Sequence, residues 1–467
     1  MSSRRHILAI AIAASTAAAC LNRSDAPKPP TFPNGGLLAR SVPLPTTTLQ
    51  SYLSQLQGVY DTSSRLGSGV VVRTSVLHTN YGDPGDVLEA PALSLLAYDH
   101  LGFAILQAGC LPPQVMQALA PPSQLVLEGY WRYLDAPMPD ASSTGLVRLF
   151  VTPSSLAAAL CAGTAPAPSD LPATLTGATG NGEAAPGDPL TVRYVQPLKS
   201  RDVGGKKSFF VGAHHGGCQT MQNCGISENT PETFVLAKQL AADYLEIDVR
   251  LTSDGVPVFF HLGLSPGAVQ GVYCTGAVED YTYAQLLANC RLRNGEVIPR
   301  VEDMLEYGLR RTDLVVWLDL KTSDTVVPAS QVLMNLAAKY PNAGVAQRVV
   351  MGLPDSDTVS AYQSAQQAGQ LMPGQRCLIE DDPADVTSVP CQAWGPRYTR
   401  GPMTSDVQSL QSQGKFVGYW TINDPSTIDD FLAAGKPNGI LTNNLGVLNQ
   451  RWEAVGVLPP YPVSLGP

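Results

Sequence analysis

With 467 residues the chain exceeds one ordinary domain, and two are expected. A hydrophobic content of 44% supports sizeable cores. Thirty Lys and Arg against 39 Asp and Glu give a net charge of −9 with no basic block. This argues against nucleic acid as a partner and against general attraction to anionic lipid headgroups. The chain opens with Arg4-Arg5, then an apolar stretch, Ile7 to Ala14, too short to span a bilayer. The small residues Ala17-Ala18-Ala19 precede Cys20. The pattern resembles a bacterial lipoprotein signal over residues 1–20, with Cys20 as the lipidated first residue. An ordinary signal peptide with an incidental cysteine is the alternative. The expected product is exported, periplasmic or cell-surface, and touches the membrane by its lipid anchor only. Cys20-Leu21-Asn22 carries no clear inner-membrane retention signal, so the outer membrane is preferred.

Residues 21–47 are rich in Pro, Ser, Thr and Asn and read as a flexible tether. Residues 48–198 carry short apolar or alternating runs, Gly69 to Val76, Ala92 to Tyr98, Leu125 to Tyr133 and Gly145 to Thr152. These predict a smaller, mainly-β domain, a barrel or sandwich. Its Ala, Pro, Gly and Thr-rich stretch 163–189 reads as a loop, with a last strand at Leu190 to Val195. No catalytic constellation is found in this half.

Residues 199–467 alternate differently. Strands are predicted at Phe209–His214, Tyr244–Arg250, Leu314–Leu320, Arg348–Leu353, Arg376–Glu380, Gln392–Trp394, Phe416–Ile422 and Asn438–Thr442. Helical patterns such as Pro231–Ala241, Ser330–Tyr340, Thr404–Gln413 and Ser426–Ala434 lie between several of them. Eight strands alternating with helices predict an α/β fold, the (β/α)8 TIM barrel, whose active site lies at the strand carboxyl ends.

Those ends concentrate ionisable residues. Strand one delivers His214 and His215, strand two Glu246 and Asp248, and a following hairpin His261. Strand three delivers Asp319 and Lys321. The i, i+2 spacing of Glu246 and Asp248 puts both carboxylates on one face, here the barrel interior. Inward carboxylates repel and lose hydration unless a cation meets them. With Asp319 they form an all-oxygen set suited to one hard divalent cation, Mg²⁺ or Ca²⁺. Lys321 points the same way, toward a phosphate oxygen or a carboxylate. Histidines beside such a set supply an acid and a base for phosphodiester cleavage. Each feature alone is a weak signal, and a lone His is more often structural; their placement on consecutive strand ends gives the constellation its weight.

Apart from Cys20 there are eight cysteines, an even number that favours disulfides in an oxidising compartment. Pairing by proximity gives Cys110–Cys161, Cys218–Cys224, Cys274–Cys290 and Cys377–Cys391. A zinc site and free buried thiols are the alternatives.

In this setting the second half resembles the glycerophosphodiester phosphodiesterase family. The resemblance rests on His214-His215-Gly216, Glu228-Asn229-Thr230, Ala242-Asp243, Glu246-Ile247-Asp248, Thr252 to Val258 with His261, Ile298-Pro299-Arg300-Val301-Glu302, Trp420-Thr421-Ile422-Asn423 and Gly439 to Thr442. It implies His214 and His261 as the acid/base pair and Glu246, Asp248 and Asp319 as metal ligands. It also implies phosphate contact by Lys321 and a substrate site shaped by Glu228 and Trp420. In the family a neighbouring substrate hydroxyl attacks phosphorus, and water opens the cyclic product. Three departures stand out. The family's arginine, a substrate contact, is His215 here; the residue after His261 is Leu262 rather than Asp; and the strand-three ligand is Asp319 rather than Glu. These features also resemble sphingomyelinase D-type phospholipases. The expected substrate is thus a small-molecule or lipid phosphodiester. A glycerophosphodiester comes first, a lysophospholipid or sphingolipid headgroup second, and an inactive ligand-binding lipoprotein third. No protein partner is evident.

Overall fold

A computed structural model describes residues 28–455, excluding 64, 118, 120–122, 136–141, 204, 218–223 and 266–267. The expected signal and Cys20 lie outside the described residues, as does Cys218.

The first half forms a closed antiparallel barrel in which each strand pairs with the next and the last with the first. The strands are β1 (Gly58–Thr62), β2 (Val70–His78), β3 (Leu88–Leu96), β4 (Phe103–Cys110), β5 (Leu125–Arg132), β6 (Thr144–Thr152), β7 (Thr174–Thr179) and β8 (Asp188–Gln196). Closure removes the exposed edges that an open sheet would present. Alternate residues such as Val70, Val72, Leu93, Leu95, Leu125, Leu127, Val147 and Leu149 fill the interior. Helix α1 (Ser154–Ala162) packs Leu156 and Leu160 into the same core.

Two expectations are corrected here. The expected tether does not extend through residue 47. Leu37 and Leu44 are buried against the barrel, the Leu38 N–H donates to Glu128 Oε2 at 2.9 Å, and Val42 bridges to Cys110. Proline is the commonest residue of that segment, but these spaced leucines dock it. The stretch 163–189 is not all loop, because it contains β7. Its small residues are what the position requires: a Cβ on Gly177 would stand 2.0 Å from the Arg148 carbonyl oxygen.

The second half is a parallel eight-stranded barrel. Its strands are β9 (Phe210–His214), β10 (Tyr244–Leu251), β12 (Val315–Leu320), β13 (Val349–Leu353), β14 (Arg376–Ile379), β15 (Ala393–Trp394), β16 (Phe416–Tyr419) and β17 (Gly439–Thr442), with β9 closing onto both β10 and β17. All eight fall where the sequence predicts them. A short strand, β11 (Pro257–Phe259), pairs antiparallel with the end of β10. The barrel strands are buried on both faces, as a sheet wrapped by helices must be. The ring includes α2 (Pro231–Gln239), α3 (Val301–Arg311), α4 (Val326–Lys339), α5 (Ser356–Gln367) and α6 (Thr404–Ser412). No helix of the described residues is long and apolar enough to cross a membrane.

The two barrels share one hydrophobic core. Val71, Leu96, Phe103 and Ile105 of the first join Phe234, Leu305 and Leu448 of the second. Polar contacts reinforce the seam: the Arg348 guanidinium lies 4.5 Å over the Tyr81 ring, and Arg73 Nε donates to Glu453 Oε2 at 3.0 Å. Disulfides join Cys110 to Cys161, Cys274 to Cys290 and Cys377 to Cys391, as proximity suggests. Cys224 is also disulfide-bonded.

Candidate active site at the mouth of the parallel barrel

The barrel interior is layered. Phe210, Tyr244, Trp317, Leu378 and Phe416 form an apolar floor. A Cβ on Gly352 would lie 2.0 Å from Trp317 Nε1, so the indole reaches across the barrel only because that position has no side chain. One layer above, Glu246 and Asp248 face inward from β10 and Asp319 from β12. The register pairs Asp248 with Asp319 and His214 with Glu246. The three carboxylates are almost wholly buried and bring one oxygen each to within 4.8 Å of one another.

Adjacent residues of a strand point to opposite faces, so His214 and His215 should diverge. They do not. His215 takes a positive φ of 49°, and Gly216 and Gly217 follow at 86° and 83°, ending the strand in a sharp turn. The His215 ring thereby stacks on His214, with centroids 3.9 Å apart, and meets His261 edge-on at 4.4 Å. His261 comes back over the site because β11 pairs with β10 and the Phe260 N–H donates to the Asp248 carbonyl. Arg250 fixes that loop, donating to the His261 carbonyl at 2.9 Å and pairing with Glu279 at 2.8 Å.

One expectation needs correcting. His215, placed at a substrate contact by the resemblance, has no exposed side-chain surface. It lies between carboxylates, with Nδ1 3.2 Å from Glu228 Oε2 and Nε2 3.0 Å from Asp248 Oδ2; the second is an ion pair without hydrogen-bond alignment. Burial alone would depress its pKa, but Asp248 and Glu246 override this and hold it well above the usual value. His215 therefore returns a positive charge to the position where the family has arginine, but as a buried positioning group. Glu228, partly exposed, reaches the site through this contact.

His214 behaves oppositely. Burial and the charge of His215 push its pKa well below the ordinary value. Its Nδ1 lies 2.8 Å from Asn443 Oδ1, which fixes the proton there and leaves the Nε2 lone pair toward Glu246, 3.8 Å away. His261 is brought down to about 4, chiefly by burial. Both histidines are neutral near pH 7, as a base must be.

The carboxylates show an excess of negative charge. Burial and Asp248 push Glu246 up to about 8, and burial raises Asp319. Asp248 stays well below its ordinary value; burial opposes this, but His215 and Lys321 prevail. Lys321 Nζ stands 2.7 Å from Asp248 Oδ1 and also contacts Asp319. Among the described residues Asp319 Oδ1 has no hydrogen-bond donor, and Asp248 Oδ1 has the Lys321 ammonium beside it without hydrogen-bond alignment. Buried, under-donated carboxylate oxygens at this spacing fit a hard divalent cation.

Four residues that the sequence reading did not assign belong here. Asn443 orients His214, and Asn229 donates to Asp248 Oδ2 at 3.1 Å. Glu380 directly follows β14 and is almost fully buried, with its pKa well raised by burial and by Asp319. Arg397 follows β15 and lines the same pocket as Lys321 and Trp420. Glu380 was the findable one, being a carboxylate at a predicted strand end.

Beyond His261 the chain forms a small insertion with its own core of Leu264, Val269, Leu286, Leu292 and Ile298, closed by Cys274–Cys290. The bridge spans 16 residues of sequence, a loop length worth about 3 kcal/mol in chain entropy. Replacing both cysteines with serine should lower the insertion's local stability by about that amount. Faster amide exchange at Leu264 and Leu292, with exchange in β12 and β13 unchanged, is the expected readout.

Three buried carboxylates, a lysine and two neutral histidines at the mouth of a TIM barrel define a phosphodiester hydrolase. Comparison with known proteins gives the same class. Residues 214–447 match the glycerophosphoryl diester phosphodiesterase family, and the chain belongs to that family. A glycerophosphodiester phosphodiesterase of Bacillus altitudinis is 23% identical over 223 residues, covering 46% of this chain and 89% of that protein. Glycerophosphodiester phosphodiesterase 1 of Mus musculus is 30% identical over 171 residues, covering 35% of this chain and 47% of that protein. A solved glycerophosphodiester phosphodiesterase from Parabacteroides distasonis is 20% identical, with a TM-score of 0.43, covering 53% of this chain and 99% of that chain.

Proposed function

We propose that the protein hydrolyses glycerophosphodiesters to an alcohol and glycerol phosphate, using one divalent cation, Mg²⁺ or Ca²⁺, with His214 and His261 as the proton-transfer pair. The observation that carries this is the cluster of Glu246, Asp248 and Asp319 beneath two neutral histidines. These carboxylates would hold the cation, which when bound offsets negative charge developing on the phosphate. Lys321 adds a fixed positive charge beside them. His214 Nε2 takes the proton of the attacking substrate hydroxyl, while Asn443 keeps the opposite nitrogen protonated. His261, partly exposed, takes up a proton from solvent beside the bound anionic diester and gives it to the departing oxygen. Water then opens the cyclic product with the roles reversed, His261 taking the water proton and His214 returning its own to the oxygen released. His215 stays buried as a cation that orders Glu228 and Asp248.

The test is release of glycerol 3-phosphate from purified protein, with and without chelator. Activity should fall at least a hundredfold on chelation and return with Mg²⁺ or Ca²⁺. Either cation should also raise the melting temperature, an effect Asp319→Asn should weaken. Undiminished hydrolysis in chelator would sink the metal-dependent reading. Release of headgroup from lysophospholipid or sphingolipid alone would move the substrate to the second class.

We also propose that the body is exported and tethered through Cys20. Disulfides in both barrels support an oxidising compartment. Metabolic labelling with a radioactive fatty acid should mark the wild type and not Cys20→Ser.

A further inference from the structure

Past Lys321 the active-site mouth widens into a pocket of about 330 Å³, running away from the histidines toward β14, β15 and β16. Its outer wall holds Asp381, Arg397, Arg400 and Trp420. The Arg397 guanidinium carbon lies 4.5 Å over the Trp420 ring, and the indole is pinned by donation from its Nε1 to the Gly395 carbonyl at 2.6 Å. No carboxylate of the described residues forms an ion pair with Arg397, and its side chain reaches solvent. Arg400, by contrast, donates to the Asp381 carbonyl at 2.5 Å and pairs with its carboxylate at 3.2 Å. Asp319 and Glu380 line the inner end of the pocket beside Lys321; on the outer wall two guanidiniums stand against one carboxylate, and the surplus charge there sits on Arg397.

This arrangement bears on the part of the substrate beyond the scissile phosphate. A quaternary ammonium is recognised by an open aromatic face. One face of Trp420 is covered by Arg397, and the ring also packs against the apolar floor of the barrel; the arginine's fork suits a carboxylate or phosphate. Stacking on the indole also restricts the guanidinium, so less freedom is lost when an anion binds.

We infer that Arg397 selects glycerophosphodiesters whose alcohol carries a second anionic group, a carboxylate or a phosphate, over those bearing choline. The inference deepens the phosphodiesterase reading above and rests on it for the placement of the scissile phosphate.

Two matched pairs of ligands isolate the added anion. Glycerophosphoserine differs from glycerophosphoethanolamine by a carboxylate, and glycerophosphoinositol phosphate differs from glycerophosphoinositol by a phosphate. Their affinities are measured by calorimetry on His214→Ala protein with Mg²⁺ present. The acidic member of a pair should bind about tenfold tighter. In the same background Arg397→Gln should erase that difference, while Arg397→Lys should keep part of it. A preference in one pair only supports the inference and names the anion. Equal affinities within both pairs, or a preference that survives Arg397→Gln, overturn it. Turnover by the wild type is assayed separately. Its absence would refute the hydrolase reading, and the binding data would still decide the role of Arg397.

Discussion

His214→Ala should lower kcat by about a thousandfold while leaving the fold intact. The size follows from what the side chain alone supplies. Among the three histidines of the site, His214 is the one with an amide oxygen, Asn443 Oδ1, on Nδ1, which leaves its Nε2 unprotonated. His215 cannot substitute, because both its nitrogens face carboxylates and its side chain is wholly buried. His261 cannot either, since it meets His215 edge-on and is not the ring stacked on His214. The fold should survive because His214 stands at a strand end and contributes to none of the apolar cores. Single-turnover kinetics on a glycerophosphodiester, with circular dichroism as the control, is the measurement. A loss smaller than tenfold would show that proton transfer lies elsewhere, and Glu246, pushed up to about 8, would become the candidate.

Much of this site could be read from the chain because a parallel barrel converts strand order into proximity. Once Tyr244–Leu251 and Val315–Leu320 are recognised as neighbouring strands, Glu246, Asp248 and Asp319 must meet at their ends. The position of His215 could not be read that way. It depends on a backbone turn at positive φ, which no side-chain pattern announces, and the turn moves a residue expected at the substrate into a buried ion-pair network. Asn443 and Arg397 were hidden for a different reason. They lie after β17 and β15, so their roles appear only when the barrel closes and brings late strands beside early ones. In the first half, β7 was obscured by composition, since Gly and Thr read as loop until Gly177 is seen against the Arg148 carbonyl.

The largest stability effect is expected at Arg201→Met, at the joint between the barrels. Arg201 is nearly buried and donates to Asp243 Oδ2 at 2.6 Å, to Glu453 Oε1 at 2.7 Å and to Asn449. Glu453 is wholly buried and also pairs with Arg73 of β2, so one guanidinium ties the linker, the second barrel and the first. Removing it leaves two buried carboxylates short of charge, a loss of about 3–5 kcal/mol. The effect should depend on pH in a defined direction. Burial opposes ionisation of Asp243, yet Arg201 and Lys207 hold its pKa at about 2, below the ordinary 3.8. A carboxyl depressed on folding stabilises the native state above its unfolded pKa, and that contribution disappears as pH falls toward the folded value. The gap is worth roughly 2 kcal/mol. Wild type should therefore lose stability between about pH 4 and pH 2, and Arg201→Met should lose less over the same range because its Asp243 is no longer held so low. Urea unfolding of both proteins at pH 7, 4 and 2.5 measures this. Parallel acid dependence in the two would show that the Arg201–Asp243 pair does not set it.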